Sequence, residues 1–328
     1  MCPPNPQFLY VNPSEVSPYF QLAQQYTFGD RTFQTQPGPS FSAHQFIISG
    51  TSAPTATSDL FWAENPHGGA SSGSWLWMID PSGNESSEMY PCFEHHTLTD
   101  LLDKAVISWK YYTPSAGSIR AGPNAIQHIC GAGGANCAGA GWTQNVILQS
   151  TRILNDISNG QLAAVSWVIP SGQASDHAVF TDGSGPSWVA SIVNAVGDSA
   201  YWSNTAIIIT GDDWGGRYDH VPPPGIAHDG TGWGSGYVYG FRGPLILVSP
   251  YASSAYVSHA THDFGSILKF VEETFPLGAL GYADTRADDL ADCFDFHQTP
   301  LPLPTIAAPV SAAHFLNDQS VALDPDDD

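Results

Sequence analysis

Two adjacent carboxylates, Asp212 and Asp213, follow the apolar run Ala206–Thr210 in "NTAIIITGDDWGGRYDHVPPP". Along a strand successive side chains point to opposite faces, so an extended Asp-Asp pair cannot address one ligand. In a turn opened by Gly215 and Gly216 both carboxylates can converge on a cation. Such oxygen donors suit Ca²⁺, Mg²⁺ or Mn²⁺, and a histidine in the set would admit Zn²⁺ or Fe. The competing reading is a solvated acidic turn. Placement at the end of a buried strand favours the cation, because buried carboxylates need partners.

Histidines number 12, more than the nine lysines and arginines together. Asp176–His177 and Asp219–His220 fall in loops after expected strands, which makes His177 and His220 the preferred site candidates. His95–His96, His228–Asp229, His259 and His262 read mainly as structural or surface residues. Among serines, "GASSG" (Gly69–Gly73) matches G-x-S-x-G but lacks the strand before it and the helix after it. Ser40 in "GPSFSAHQFIISG" precedes an apolar run expected to form a helix around Ala43–Ser49. A hydroxyl there gains from the helix dipole and from free N–H groups that also hold phosphoryl oxygens. Spacing alone favours a plain helix cap at Ser40.

The elements that must position these residues emerge from periodicity. A short helix is expected around Ser17–Tyr26, and residues 51–91, rich in Gly, Ser, Pro and Thr, read as an irregular surface excursion. "HTLTDLLDKA" has a helix start at Thr97 or Thr99. "VISWKYY", "LAAVSWVIP", "TAIIIT" and "GPLILVSPYA" read as strands. "QNVILQSTRILNDI", "GPSWVASIVNAVGD" and "HDFGSILKFVEETF" read as helices between and after them. This alternation predicts an α/β fold with a mainly parallel sheet covered on both faces. Ligands bind at the carboxyl ends of strands in such sheets. One domain is expected over residues 1–318, followed by an acidic, disordered tail at 319–328.

The formal charge of −22 argues against nucleic acid as a partner. No apolar run reaches the roughly 18 residues of a membrane span, and no signal peptide opens the chain. Of five cysteines, Cys130 and Cys137 flank "GAGGAN", a loop that a disulfide could close. Cys92 could pair with Cys293, leaving Cys2 without a partner, and five reduced thiols are the alternative. The lack of any CxxC pair argues against a cysteine metal site.

Several long segments together resemble one family. "GPSFSAHQFIISGTSAP", "YPCFEHHTLTDLLDKAVISWKYY", "AVSWVIPSGQASDHA", the stretch from "PSWVASIVNAVGD" through "GDDWGGRYDHVPPP", and "SHATHDFGSILKFVEETF" are similar to the bacterial phosphoesterases. That family includes acid phosphatases and non-haemolytic phospholipases C, within the alkaline phosphatase superfamily. The resemblance implies an α/β/α sandwich, an extracytoplasmic location and hydrolysis of a small phosphate ester or a phospholipid headgroup with one divalent metal. It implies Ser40 as nucleophile and metal contact, Asp212 and Asp213 as metal ligands, and His177 beside the scissile phosphate. His44 and His220 lie in matching segments and are expected to bind substrate. The family's leading strand and Glu-Asn segment have no counterpart here, since Glu64 and Asn65 lie after Ser40. The expectation is that the chain starts downstream of that segment. With few basic residues, the metal is expected to counter much of the phosphate charge. Two other readings stay open: a catalytically impaired remnant of the family, and a non-catalytic secreted calcium-binding protein. A Ser-His-Asp carboxylesterase is a weaker third.

Overall fold

The computed structural model describes residues 10–38, 40–62, 75–80, 82–131, 136–177, 182–224 and 238–318. The strands in chain order are β1 (Thr27–Gly29), β2 (Phe61–Trp62), β3 (Leu76–Ile79), β4 (Glu85–Met89) and β5 (Trp109–Tyr112). They continue with β6 (Val146–Ile147), β7 (Val165–Val168), β8 (Ile207–Thr210), β9 (Leu245–Val248) and β10 (Tyr256–Ser258). The helices are α1 (Ser17–Gln25), α2 (Ser40–Ser49), α3 (Leu98–Lys104), α4 (Gln127–Cys130) and α5 (Ala140–Asn145). After these come α6 (Arg152–Ser158), α7 (Ser184–Gly197), α8 (Phe264–Thr274) and α9 (Ala312–Asn317).

The α/β class expected from the sequence holds, with the strands divided among sheets. One sheet has the order β10-β1-β9-β8 and a second the order β6-β5-β7. The second is parallel throughout. The first is mixed: β1 is parallel to β10, while β9 runs antiparallel to both β1 and β8. Strand β9 is buried at every position, as its unbroken "LILV" requires. Apolar faces of α1, α7 and the segment around Ile306 cover one side of this sheet, and α8 contributes to clusters that cover the other.

Three local expectations change. The stretch 51–91 is not irregular throughout, because β2, β3 and β4 form an antiparallel sheet within it. Its strand β4, "ESSEM", is polar and mostly exposed, so no apolar alternation marked it. The expected helix "QNVILQSTRILNDI" divides into α5, β6 and α6, because Val146 and Ile147 pair with Tyr111 and Tyr112. Helix α2 begins at Ser40, three residues before the apolar run. It is buried almost all round, including the polar Ser40, Ser42, His44 and Gln45. Thus it lacks the one-sided pattern of a surface helix.

Cys130 and Cys137 form the expected disulfide. The Cys92–Cys293 bridge is absent: Cys92 is exposed, Cys293 is buried, and both are free thiols. Cys2, Glu64, Asn65, "GASSG", His228 and the acidic tail lie outside the described residues. No described helix is long and apolar enough to cross a membrane.

Buried Glu272 on α8 gives the fold a pH dependence. Burial pushes its carboxyl up to about 7, against the lowering effect of the Leu280 N–H, which donates to Oε1 at 2.9 Å. An acid with a raised folded pKa contributes stability below its unfolded value of 4.5, and loses it as pH rises through about 7. Glu272→Gln should match the parent near pH 4 and exceed its stability by roughly 1–3 kcal/mol near pH 8. Urea unfolding of both proteins at the two pH values checks this.

Candidate active site

Four chain segments meet where β8 ends. Helix α2 supplies Ser40 and His44, β5 supplies Tyr111, the turn after Ser118 supplies Arg120, and the loop after β8 supplies Asp212 and Asp213. The Ser40 hydroxyl donates to Asp213 Oδ2 at 3.3 Å and accepts from Arg120 Nη2 at 3.5 Å. Ser40 is only 1% exposed and Arg120 5%, so the serine lies behind Arg120 and the carboxylates.

The turn expected after Asp213 is present. Gly215 and Gly216 both have φ of 69°, in the left-handed region that other residues adopt at a cost. The turn lets the Gly215 N–H donate to Asp213 Oδ1 at 2.6 Å, fixing one carboxylate oxygen while the other faces Ser40. Asp212 points differently. Its Oδ2 is buried without a hydrogen bond and faces His44 Nε2 at 3.4 Å. Burial opposes ionisation of Asp212, but His44, Arg120 and the Ser40 hydroxyl together hold its carboxyl well below the usual range.

His44 is held from behind. Its Nδ1 lies 3.3 Å from the Tyr111 hydroxyl, which donates to the Arg120 carbonyl at 2.7 Å and accepts from the Gly122 N–H at 3.3 Å. Burial pushes the Tyr111 phenol far above its ordinary pKa, so it remains a neutral donor. A side chain at Gly122 would place Cβ 2.9 Å from the His44 carbonyl oxygen. Glycine therefore allows the Arg120 turn to press against α2.

Arg120, Asp212 and Asp213 line a cleft of about 750 Å³, together with Asp176 and His177. The second strand-end cluster foreseen in the sequence thus shares a cavity with the aspartate pair. Asp176 has a φ of 59° and accepts from the Tyr19 hydroxyl at 2.6 Å. Burial raises its carboxyl pKa despite that bond. His177 is anchored through its N–H to Ser175 Oγ at 3.1 Å.

His220 is placed elsewhere. It is exposed, lies edge-on against Tyr218 at 5.2 Å, and does not line the cleft. The neighbouring Asp219 makes a forked ion pair with Arg242, at 2.7 and 2.6 Å. His44 belongs to the network under the cleft rather than to its lining. Arg120 was missed in the sequence because "SIRAGPNA" shows neither helical nor strand periodicity. The adjoining Gly-Pro was the one local signal of a tight turn.

Ser40, Asp212 and Asp213 offer oxygen donors, and Asp212 Oδ2 is a buried acceptor without a hydrogen bond, 3.4 Å from His44 Nε2. His44 Nδ1 faces the Tyr111 hydroxyl and Nε2 faces Asp212, so the donors that Ser40, Asp212 and Asp213 offer are all oxygen. They fit a hard divalent cation.

The same α/β fold occurs in a solved structure of low sequence identity. Murine ectonucleotide pyrophosphatase/phosphodiesterase 5 superposes with a TM-score of 0.52 at 8% identity, over 85% of this chain and 95% of its own. The chain belongs to the phosphoesterase family, whose model matches residues 7–278. It is 32% identical over 170 residues to phospholipase C B of Mycobacterium tuberculosis, covering 45% of this chain and 32% of that protein. Hemolytic phospholipase C of Pseudomonas aeruginosa aligns at 22% identity over 324 residues, 88% of this chain and 43% of that one. The chain spans less than half the length of either relative.

Removing the hydroxyl that ties this network together should be costly. Tyr111→Phe leaves the Arg120 carbonyl and the Gly122 N–H without their buried partner. The loss should be about 1–3 kcal/mol of unfolding free energy. Denaturant titration checks it.

Proposed function

We propose that the chain hydrolyses phosphate esters through Ser40, with Asp212, Asp213 and the Ser40 oxygen holding one divalent cation. The observation that carries this reading is the placement of the Ser40 hydroxyl between the Arg120 guanidinium and the Asp213 carboxylate. A cation held there supplies charge to polarise a phosphoryl oxygen and favours the ionised serine.

The residues of the chain do the rest. Arg120 presents a guanidinium to the phosphoryl oxygens, a role that planar forked donors suit. It therefore shares the charge that the low basic content had assigned largely to the metal. Asp213 Oδ2 accepts the hydrogen bond from Ser40 and takes its proton as Oγ bonds to phosphorus. The ester P–O bond breaks, and His177 protonates the departing oxygen. Water then attacks the phosphoserine and gives a proton to His177, the Oγ–P bond breaks, and Ser40 regains its proton from Asp213 as phosphate leaves. His44 touches neither reactant; braced by Tyr111, it positions Asp212.

The cleft has one polar end and one apolar wall, made by Val16, Tyr19, Phe20, Phe28, Ile209 and Ile246. That wall supports an ester with an apolar substituent, a class to which phospholipids belong. The Cys130–Cys137 bridge supports an extracytoplasmic setting, where disulfides persist.

With metal supplied, the chain should hydrolyse p-nitrophenyl phosphate or phosphatidylcholine vesicles and give an acid-stable ³²P-phosphoenzyme. Ser40→Ala should abolish both, and label persisting in that variant overturns the nucleophile. Absence of hydrolysis with every metal and both substrates overturns the reading. His177→Gln should lower kcat by about 10²–10⁴-fold on alkyl phosphates and much less on p-nitrophenyl phosphate. A deficit independent of leaving-group basicity removes the general-acid role.

A further inference from the structure

A second set of ligand-type side chains lies at the far edge of the same sheet. Thr210, Leu245, Gly29 and Ser258 stand in register across β8, β9, β1 and β10. At about 4.8 Å per strand, Ser258 is roughly 14 Å from Thr210. Past Ser258 the chain reaches His262, and the short turn Ala291–Cys293 lies beside β10. His262 and Cys293 are fully buried, while the Asp292 side chain is 35% exposed.

Three donor atoms converge here. His262 Nε2 lies 4.0 Å from Cys293 Sγ and 4.0 Å from Asp292 Oδ1, and the Cys293 thiol donates to that oxygen at 3.4 Å. Zinc bonds of about 2.0–2.3 Å in a tetrahedron require donor separations of roughly 3.3–3.6 Å. The side chains need to close by about half an ångström, which a bound cation would drive. The solvent-facing Asp292 leaves an entry path.

The state of His262 is an independent sign. Its Nδ1 is completely buried and forms no hydrogen bond, although Asp288 Oδ1 is 3.0 Å away. On the other side Nε2 faces Ser258 Oγ at 2.8 Å. Ser258 donates to Asp292 Oδ2 at 2.6 Å, so it must accept from Nε2–H. With Nε2–H given to Ser258, the buried Nδ1 faces the Asp288 carboxylate without a hydrogen bond. A cation on Nε2 leaves the ring proton on Nδ1. Nδ1–H then donates to Asp288, the carboxylate–histidine–metal arrangement that orients many ligand imidazoles.

We propose that His262 Nε2, Cys293 Sγ and Asp292 Oδ1 bind one thiolate-accepting divalent cation of the Zn²⁺ type. Ser258 or water completes four ligands, and Asp288 orients the imidazole. Binding replaces the thiol proton, which leaves to solvent. Spacing had argued against a cysteine metal site, but these ligands come from segments about thirty residues apart and meet only in the fold. The site is chemically distinct from the all-oxygen set at Ser40, which holds no sulfur.

Cobalt separates the two sites, because only a thiolate gives a sulfur-to-cobalt charge-transfer band. Metal-stripped protein titrated with Co²⁺ should develop that near-ultraviolet band at one equivalent. It should survive in an Asp212→Asn, Asp213→Asn double variant and vanish in Cys293→Ser. Asp288→Asn should weaken binding about 10–100-fold with the band retained. No band in the parent protein, or a band persisting in Cys293→Ser, overturns the proposal. If Cys293→Ser does not fold, zinc-edge X-ray absorption of the parent protein decides. One sulfur scatterer supports the site, and nitrogen and oxygen alone overturn it.

Discussion

Everything around the cleft depends on keeping one carboxylate, Asp212, ionised in a place that disfavours charge. Burial alone would neutralise it, and the opposing contributions come from His44, Arg120 and Ser40. Each of those depends on a further contact. His44 is fixed by Tyr111, Tyr111 by the Arg120 carbonyl and the Gly122 N–H, and Gly122 by its close approach to α2. So α2, β5, the Arg120 turn and the end of β8 must arrive together, and the architecture between them serves that meeting.

What could be read in the sequence follows the range of the interaction. The Asp-Asp pair was legible because a buried strand, its end and two turn glycines are contiguous. The Cys130–Cys137 bridge, seven residues apart, was legible for the same reason. Arg120 was not, since its contact with Ser40 spans 80 positions and its own turn carries no periodic pattern. His44 and His220 looked equivalent as members of matching segments. Only the fold distinguishes a buried histidine braced by a tyrosine from an exposed one beside Tyr218.

Strand direction shows the same limit. "GPLILVSPYA" has the composition of a buried strand, and β9 is one. Yet an unbroken apolar run says that both faces are covered, not which way the chain travels. The link from β8 to β9 carries no described helix, and the strand returns antiparallel. Register then matters more than direction. One row across four strands ends at Thr210 on one edge and Ser258 on the other, so a single sheet supports two separate polar clusters.

Arg120 is the only Lys or Arg among the described residues lining the cleft, which also carries Glu15, Asp176, Asp212 and Asp213. On a chain of formal charge −22, the guanidinium acts at contact, while the field beyond it is negative. An anion approaching from solution is therefore slowed by long-range repulsion before it meets the one arginine that attracts it. Screening shortens that repulsion, from a Debye length of about 10 Å at 0.1 M salt to about 3 Å at 1 M. For such a cleft added salt hastens encounter, the reverse of the steering that charged enzymes commonly use. Zwitterionic headgroups, carrying no net charge, escape the barrier altogether.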